Sequence, residues 1–389
     1  MKSWRNIKLL AWFNFLTDFS LIAPVAIIYF TRVSGSFVAG MSIFSVSMFA
    51  QALLEVPTGV LSDYLGRKGV IVLGSIASVL SIVSYAIGGG YWILFVGALF
   101  EGLGRALYSG NNDAFLRDSL KDSNNEHEYK EYLGKTSSMN QAAAAVGALG
   151  SGVIAALSFP LLLWLSVIPQ VTKLVISLAL SEPKSFTKSE SNIFAHTKEA
   201  IGYFIHNARL RKLSLASMIG FALGESGYQF RSAYVATLWP LWAVGLSKFL
   251  SSVGATLSFW WSGKVIKKFR ELPLLIWCGI FDKVIDITAL IIPSVFSPIL
   301  LATTSLDYGV TEVAENNLLQ NEFTDHQRAT MSSLNALGGS LFFGIVALIL
   351  GLFADRLGPA TALLILIVAG IPVQFLHWSV FKNEKKFAI

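Results

Sequence analysis

Apolar residues run along this chain in blocks of about 20, separated by short polar or charged segments; a helix of that length crosses roughly 30 Å of hydrocarbon. Inside a bilayer a helix satisfies its own backbone hydrogen bonds. The blocks lack the alternation of apolar and polar residues that is typical of a membrane β-barrel. The pattern therefore predicts an all-α membrane protein that crosses the bilayer many times.

The blocks predict twelve membrane-spanning helices. Their approximate limits are 7–30, 38–62, 70–88, 91–117, 137–157, 160–180, 210–238, 241–263, 272–293, 297–319, 329–353 and 359–380. The longest polar interval separates the sixth block from the seventh. The chain is therefore expected to form one six-helix bundle over 1–181, a cytoplasmic linker over 182–208, and a second six-helix bundle over 209–389.

The linker contains a short amphipathic pattern. The apolar residues Ile193, Ile201, Phe204 and Ile205 recur at helical spacing opposite Lys198 and Glu199. This spacing favours a helix lying along the cytoplasmic membrane surface, and a disordered connector is the alternative.

Composition favours a membrane protein over a soluble one. Hydrophobic residues make up 54% of the chain, charged residues 14%, and the mean hydropathy is +0.60. A soluble globule of this composition would have too little polar surface to cover itself. The first block is too long for a signal peptide and lacks a small-residue cleavage site, so we expect it to be retained. Cys278 is the only cysteine, which excludes an intramolecular disulfide.

The net charge of +6 would suit a nucleic-acid partner, but its distribution favours a membrane surface. With the N-terminus inside, only Arg32, Lys248 and Arg356 fall on the outer side, and the other basic loop residues are cytoplasmic. Both termini are therefore predicted to be cytoplasmic, with basic residues facing anionic lipid headgroups and no nucleic acid bound. We expect a monomeric integral protein of a prokaryotic inner (plasma) membrane.

Short matches relate the two halves. The segment "TSSMN" (Thr136–Asn140) opens the fifth predicted span and "MSSLN" (Met331–Asn335) opens the eleventh. An Asn-Asn pair at 111–112 in the fourth span matches one at 316–317 in the tenth, an offset of 316 − 111 = 205 residues. Their equivalent positions predict an internal duplication.

A charged segment, "GVLSDYLGRKG" (Gly59–Gly69), joins the second and third predicted spans. It resembles the loop signature of the major facilitator superfamily, G-x-x-x-D-x-x-G-R-K, and the twelve spans in two halves extend this resemblance over essentially the whole chain. Membership would imply alternating access, with the substrate held near the membrane midplane between two bundles.

The residues of this segment also suggest roles of their own. Gly59 permits close helix packing, and Gly66 can adopt the left-handed conformation that ends or reverses a turn. Asp63 can face a helix N-terminus, and the nearest predicted one is that of the eleventh span, at 328–330.

We therefore expect a conformational latch centred on Asp63 and oriented by Arg67. Lys68 belongs to the same segment, and Glu55 lies on the same helix face as Asp63. For Arg67 and Lys68, ordinary basic residues of a cytoplasmic turn are the alternative. A similar segment, "GLFADRLG" (Gly351–Gly358), falls on the outer side by the same topology and is predicted to be a plain turn.

Ionisable residues inside the predicted spans are functional candidates, because each costs several kcal/mol unless it meets a partner or an aqueous cavity, roughly +3 on insertion scales. Five of them lie deep in spans one, four, seven and ten, which the family resemblance places around the central cavity. The expected substrate and proton site comprises Asp18, Arg105, Glu225, Tyr228, Arg231, Asp307, Glu312 and Glu315. Acids at this depth can carry a proton, and the arginines can pair with them or bind anions. Buried structural pairs are the alternative.

Other charged residues are predicted to have structural roles. Glu101 and Arg105 lie one helical turn apart and are expected to pair. In span nine Lys283 and Asp286 are three residues apart and are expected to pair beside Asp282. Lys173 in span six is likewise assigned to support.

An enzyme is disfavoured by the histidines. His127 and Glu128 begin a run in which Glu131 stands where a zinc-binding H-E-x-x-H helix needs its second histidine. No serine–histidine or metal cluster emerges, so we expect no cofactor, with a proton gradient as the coupling ion. A sensor that binds without transporting is the alternative from another class.

The substrate class is predicted from the inner helices. Drug/proton antiporters of the family carry an arginine four residues before a glycine in span four, where this chain has Ala98 before Gly102, and span five lacks their glycine-proline signature. Many aromatic residues and the deep acids nevertheless favour proton-coupled efflux of lipophilic or cationic small molecules. Uptake of a small organic solute is the alternative.

Overall fold

A computed structural model of the chain describes residues 2–184, 202, 204–323 and 328–387, and within these residues the regular structure is entirely helical. The helices are α1 (Lys2–Asp18), α2 (Ala26–Ser34), α3 (Phe37–Ile87), α4 (Tyr91–Tyr108), α5 (Asn111–Lys121), α6 (Tyr129–Leu157), α7 (Phe159–Ala179), α8 (Ala208–Leu238), α9 (Leu241–Phe269), α10 (Glu271–Ile291), α11 (Ser297–Thr303), α12 (Ser305–Glu322), α13 (Arg328–Leu357), α14 (Pro359–Ala369) and α15 (Ile371–Phe387). Most of the predicted amphipathic helix of the linker, including Lys198 and Ile201, lies outside the described residues, whereas Phe204 and Ile205 are described and helical.

The chain forms two compact units. Unit 1 contains Met1–Glu190 and Leu241–Phe249, and unit 2 contains Ser191–Pro240 and Leu250–Ile389. Unit 1 thus holds α1 to α7 with the first turns of α9. Unit 2 holds α8, the rest of α9 and α10 to α15.

Six segments of the described chain are long and apolar enough to cross a membrane. They are Trp4–Ser34, Phe37–Glu55, Tyr64–Ile87, Phe159–Ala179, Thr330–Leu357 and Pro359–Lys382. Helices α4, α8, α10 and α12 carry several ionisable side chains and are not among these six. The charges that make a helix a functional candidate also lower its hydropathy.

Several predicted spans contain breaks that place their polar residues. The first predicted span divides at Asp18, where α1 ends, and a short 3₁₀ turn at Ala23–Val25 leads into α2. Pro24 in that turn has no backbone N–H to continue a helix. The fourth span divides at Gly110 (φ 68°), between α4 and α5, and the tenth divides between α11 and α12.

The segment between the second and third predicted spans is a break inside one long helix. Gly66 has φ 75° and ψ 168° within α3, a backbone conformation that favours glycine. The sequence analysis predicted a positive φ at this position, and the structure confirms it. The helix axis therefore changes course at Gly66, immediately before Arg67.

Glycines mark equivalent close helix crossings in the two units. A Cβ atom on Gly102 of α4 would overlap the Ser47 carbonyl oxygen of α3, and one on Gly309 of α12 would overlap the Phe259 backbone of α9. The two glycines are 309 − 102 = 207 residues apart, close to the offset of the Asn-Asn pairs. Small residues at helix contacts let backbones approach closely in membranes, and the repeated crossing supports the predicted duplication.

Candidate functional site

Charged residues from three helices and a tyrosine from a fourth converge in unit 1. Asp18 is exposed at the C-terminal end of α1, where the predicted first span breaks. Glu101 and Arg105 lie one turn apart on α4, Tyr85 lies on α3, and Lys173 lies on α7. Asp18, Tyr85, Glu101, Arg105 and Lys173 together are called the Asp18 cluster below.

Glu101 holds Arg105 in place, as the sequence predicted. The Glu101 Oε1 atom accepts hydrogen bonds from Arg105 Nη2 at 2.9 Å and Nε at 3.1 Å. The other carboxylate oxygen accepts the Tyr85 hydroxyl at 2.8 Å. Half of the Arg105 side chain stays exposed. The guanidinium is therefore oriented from one side and accessible from another.

Lys173 is the member of the cluster that sequence reasoning missed as a functional candidate. It is only 1% exposed, and its Nζ atom lies 4.9 Å from the Tyr108 ring centroid and 5.8 Å from that of Phe13. Asp18 and Arg105 are close enough to interact with it electrostatically. In the described part of the chain no carboxylate oxygen lies within 4 Å of its ammonium group.

In unit 2, Arg231 is engaged by neighbouring helices. Its Nη1 atom donates to the Leu301 carbonyl oxygen at 2.7 Å and to Thr304 Oγ1 at 3.3 Å, and Nη2 lies 3.2 Å from Asp286 Oδ1. The two charged side chains are 19% and 15% exposed. Arg231 and Asp286 thus form a largely buried ion pair that links α8 to α10.

Lys283 and Asp286, which their spacing allows to pair, interact electrostatically but form no ion pair within 4 Å. Lys283 donates instead to the Gly279 carbonyl oxygen at 3.4 Å. Arg231 reaches Asp286 from another helix with a planar group that carries several donors, whereas the lysine carries a single ammonium group. The partner of Asp286 therefore comes from a neighbouring helix, which the residue spacing within one segment cannot predict.

Two further carboxylates of unit 2, those of Asp282 in α10 and Asp307 in α12, lie close enough to repel each other. Both Asp307 oxygens and one Asp282 oxygen are buried, and within the described residues none has a hydrogen bond of normal geometry, although Asp307 lies beside both Cys278 and Asp282. Asp307 was a predicted site residue, and its neighbour Asp282 had been assigned to structural support.

The remaining predicted site residues of unit 2 form an acid–aromatic face. Glu225, Tyr228 and Glu312 lie close enough to Tyr308 to interact electrostatically. Tyr308, Tyr228 and Glu312 are exposed, and Phe259 packs edge-on against Tyr308 at 5.8 Å between ring centroids. Glu225 Oε1 accepts from Gln229 Nε2 at 2.7 Å.

Glu315 is half-buried one turn beyond this face and interacts electrostatically with Glu312. Five of the predicted residues of unit 2 thus divide between two places. Glu225, Tyr228 and Glu312 belong to the acid–aromatic face, whereas Arg231 and Asp307 lie with α10.

At Gly66 the structure adds an acid that the sequence analysis did not single out. Glu182, just beyond α7, accepts the backbone N–H groups of Arg67 at 2.6 Å and Lys68 at 2.9 Å. A Cβ atom on Gly66 would lie 2.8 Å from the Glu182 carboxyl carbon. The carboxylate therefore caps the N-terminal end of the second part of α3, where free N–H groups favour an anion.

The Arg67 side chain points to α5. Its Nε atom lies 3.5 Å from Asp118 Oδ2, and its Nη1 atom donates to Ser62 Oγ at 3.1 Å. This ion pair joins the second part of α3 to α5. Asn111 secures the same corner by donating to the Arg67 carbonyl oxygen at 3.0 Å.

The other predicted latch residues are only partly described. Glu55 Oε1 accepts from Ser109 Oγ at 2.9 Å, at the break between α4 and α5. Gly59 and Asp63 lie in α3, but their side-chain surroundings fall outside what the structure describes, as do those of Arg328. The contact between Asp63 and a helix N-terminus stays a prediction.

Comparison with known proteins gives the following results. The model of the Major Facilitator Superfamily matches residues 9–347. A mutant of the nucleoside transporter NupG has a TM-score of 0.80 and 14% identity, covering 98% of this chain and 100% of that chain. A POT family transporter in complex with a thioalcohol-conjugated peptide has a TM-score of 0.76 and 14% identity, covering 98% of this chain and 96% of that chain. A D-xylose-proton symporter has a TM-score of 0.73 and 13% identity, covering 97% of each chain. A search of curated protein sequences found no match.

The ion pair between Arg231 and Asp286 is expected to matter for stability. Arg231→Met or Asp286→Asn should each lower the free energy of unfolding by about 3 kcal/mol, because each strands a buried charge or its partner. The double variant Arg231→Met with Asp286→Leu should recover most of the loss. Thermal and denaturant unfolding of the purified protein in detergent measures these effects.

Glu312→Gln on the exposed acid–aromatic face is the control, with an expected change within about 0.5 kcal/mol. If the single variants of the pair were as stable as the parent protein, a structural role for Arg231 would be contradicted.

Proposed function

The chain belongs to the major facilitator superfamily, and from that premise we propose that it moves a small charged organic solute across the membrane by alternating access, coupled to protons. Membership makes it a secondary transporter and not an enzyme. Transport of this kind needs no cofactor. The coupling ion, the class of solute and the direction are our proposals.

The observation that carries the proposal is the Asp18 cluster. It brings two acids and two bases into helices that are otherwise strongly apolar, at a break in the first span. Charges at such depth are costly unless they meet a partner or a water-filled cavity, and they mark ion and substrate pathways. Asp18 and half of Arg105 are accessible, so a solute and a proton can both reach them.

Acids account for the proposed proton coupling. Asp18 in unit 1 and Glu225 and Glu312 in unit 2 are the carboxylates we assign to proton or cation binding, with Asp307 and Glu315 behind them. A carboxyl group in a poorly hydrated site can change its protonation state as its surroundings change. Arg231 is assigned to holding α8 on α10 and not to binding the solute.

The charge of Arg105 and the similarity to solved transporters both favour a polar solute over a lipophilic one. Arg105 offers a charged group to the solute. Solved structures of similar fold include a nucleoside transporter, a POT family transporter in complex with a conjugated peptide and a D-xylose-proton symporter. Uptake of a small organic solute, the alternative in the sequence analysis, is therefore our first candidate.

Efflux of lipophilic cations is the second candidate, and the acid–aromatic face favours it. Glu225 and Glu312 supply negative charge beside exposed Tyr228 and Tyr308. Aromatic faces attract cations, and a desolvated contact of this kind is worth about 2 kcal/mol. A sensor without transport has no comparable support.

The proposal includes the predicted topology. The twelve spans would be α1 with α2, the two parts of α3 on either side of Gly66, α4 with α5, α6, α7, α8, α9, α10, α11 with α12, α13, and α14 with α15. We keep the predictions of cytoplasmic termini, a prokaryotic inner membrane and a monomer. The division into bundles over 1–181 and 209–389 is kept as well.

Transport into proteoliposomes tests the proposal directly. A panel of labelled anions, cations, zwitterions and neutral solutes is offered with and without an imposed pH gradient. At least one solute should accumulate severalfold only with the gradient. Asp18→Asn should abolish this accumulation and leave solute exchange at equal pH, because the neutral amide cannot carry the proton.

Asp355→Asn, at the exposed end of α13, is the matched control and should transport normally. If no solute of the panel responded to the pH gradient, proton-coupled transport would be contradicted.

The latch proposal has a separate test. Asp63→Asn should slow transport about fivefold, corresponding to the ~1 kcal/mol that a carboxylate contributes at a helix N-terminus. Transport rates and the labelling of single engineered cysteines, in a background without Cys278, measure both turnover and the conformational distribution. Asp355→Asn serves again as control, and an unchanged rate and labelling pattern in Asp63→Asn would refute the latch.

A further inference from the structure

We propose that Lys173 couples proton binding at Asp18 to the binding of an anionic group at Arg105, so that the transported solute is a small organic monoanion that moves with one proton. This inference rests on the proposed function and specifies its solute class. It assigns Lys173 as a positioning residue that acts through its charge on Asp18.

The burial of Lys173 sets the constraint. The side chain is 1% exposed, and in the described part of the chain its ammonium group has no carboxylate within 4 Å. The rings of Tyr108 and Phe13 offset only part of the cost of burying the charge. A protonated Lys173 therefore requires a negative charge nearby, and Asp18 supplies it electrostatically.

The charges of the Asp18 cluster balance when Asp18 is ionised. Glu101 is already committed to Arg105 and to the Tyr85 hydroxyl, so Asp18 is the counter-charge left for Lys173. When Asp18 accepts a proton, the cluster gains one net positive charge. An anionic group of the solute beside Arg105 restores neutrality, and the anion and the proton must then leave together.

The groups acting on Asp18 come from two helices. Within the described residues they are Lys173 of α7 and Arg105 of α4. Helices α5 and α6 also pack against α1. Of their described ionisable residues, Asp113 and Arg117 of α5 interact electrostatically with Tyr129 of α6. Within the described residues, Arg105 and Lys173 are thus the charged groups that act electrostatically on Asp18.

The geometry favours an anion over a cation or a neutral solute. A cationic group beside Arg105 would be repelled by its exposed guanidinium, and a neutral solute could not compensate the buried charge of Lys173 when Asp18 is protonated. The Arg105 guanidinium, half exposed and held by Glu101, presents the planar donors that match a carboxylate.

Three matched probes test the solute class in proteoliposomes under an inward proton gradient. Hippurate carries a carboxylate, hippuramide is its neutral amide, and N-(2-aminoethyl)benzamide is a cation with the same benzoyl group. We expect hippurate to accumulate above the leak of protein-free vesicles, and the other two not to. Clamping the membrane potential with potassium and valinomycin should not change the accumulation, because one anion moves with one proton.

Substitution of Lys173 tests the coupling. Lys173→Met should lower gradient-driven hippurate accumulation about tenfold, within the usual range of coupling free energies. Its hippurate exchange at equal inside and outside pH should become independent of pH, a change that a purely structural role would not produce. Lys173→Arg should retain the pH dependence. Lys248→Met removes another buried lysine and should leave the pH profile unchanged.

Two results would overturn the inference and leave the proposed function intact. One is accumulation of hippuramide or of the amine in place of hippurate. The other is an unchanged pH profile in Lys173→Met. Failure of all three probes and of the wider solute panel to respond to the gradient would instead contradict the proposed function, and this inference with it.

Discussion

The structure depends on one constraint, the compensation of charge inside an apolar environment. Every ionised side chain buried there needs an opposite charge, a set of hydrogen bonds or water. The two units satisfy this need differently. In unit 2, Arg231 is closed off by Asp286, a backbone carbonyl oxygen and a hydroxyl group. In unit 1, Asp18 and Arg105 balance their cluster while remaining accessible.

That difference explains how similar residue types serve different roles. A closed pair contributes to stability only while both partners are present, because the cost of removing the charges from water offsets much of their attraction. An open cluster can exchange one of its charges for that of a proton or a solute. In unit 1 the helix breaks lie at this cluster: α1 ends at Asp18, and Pro24 prevents an unbroken helix from continuing across the site.

Local patterns of the sequence predicted the features that depend on near neighbours. The apolar blocks predicted an all-helical chain, the four-residue spacing predicted the pair of Glu101 with Arg105, and Gly66 was expected to have a positive φ. Each of these follows from a few consecutive residues. The pairing of Asp286 with Arg231 does not follow from consecutive residues, because Arg231 comes from another helix 55 residues away.

Contacts between distant segments account for the other omissions. Glu182 caps the N–H group of Arg67 across 115 residues, and the pattern around it resembled an ordinary linker. Lys173 was judged by its position on an outer span, and only the fold brings it to Asp18. The one signal in the sequence was a lysine within an apolar helix. Such a lysine can also have a purely structural role, so the signal did not distinguish the two.

A double-mutant cycle between Asp18 and Lys173 tests the central claim, that Asp18 compensates the buried charge of Lys173, without requiring a known solute. Thermal unfolding is measured for the parent protein, Asp18→Asn, Lys173→Met and the double variant. We predict that Asp18→Asn alone lowers the unfolding temperature, whereas Lys173→Met and the double variant do not, giving a clear coupling between the two positions. Strictly additive effects of the two substitutions would contradict the account.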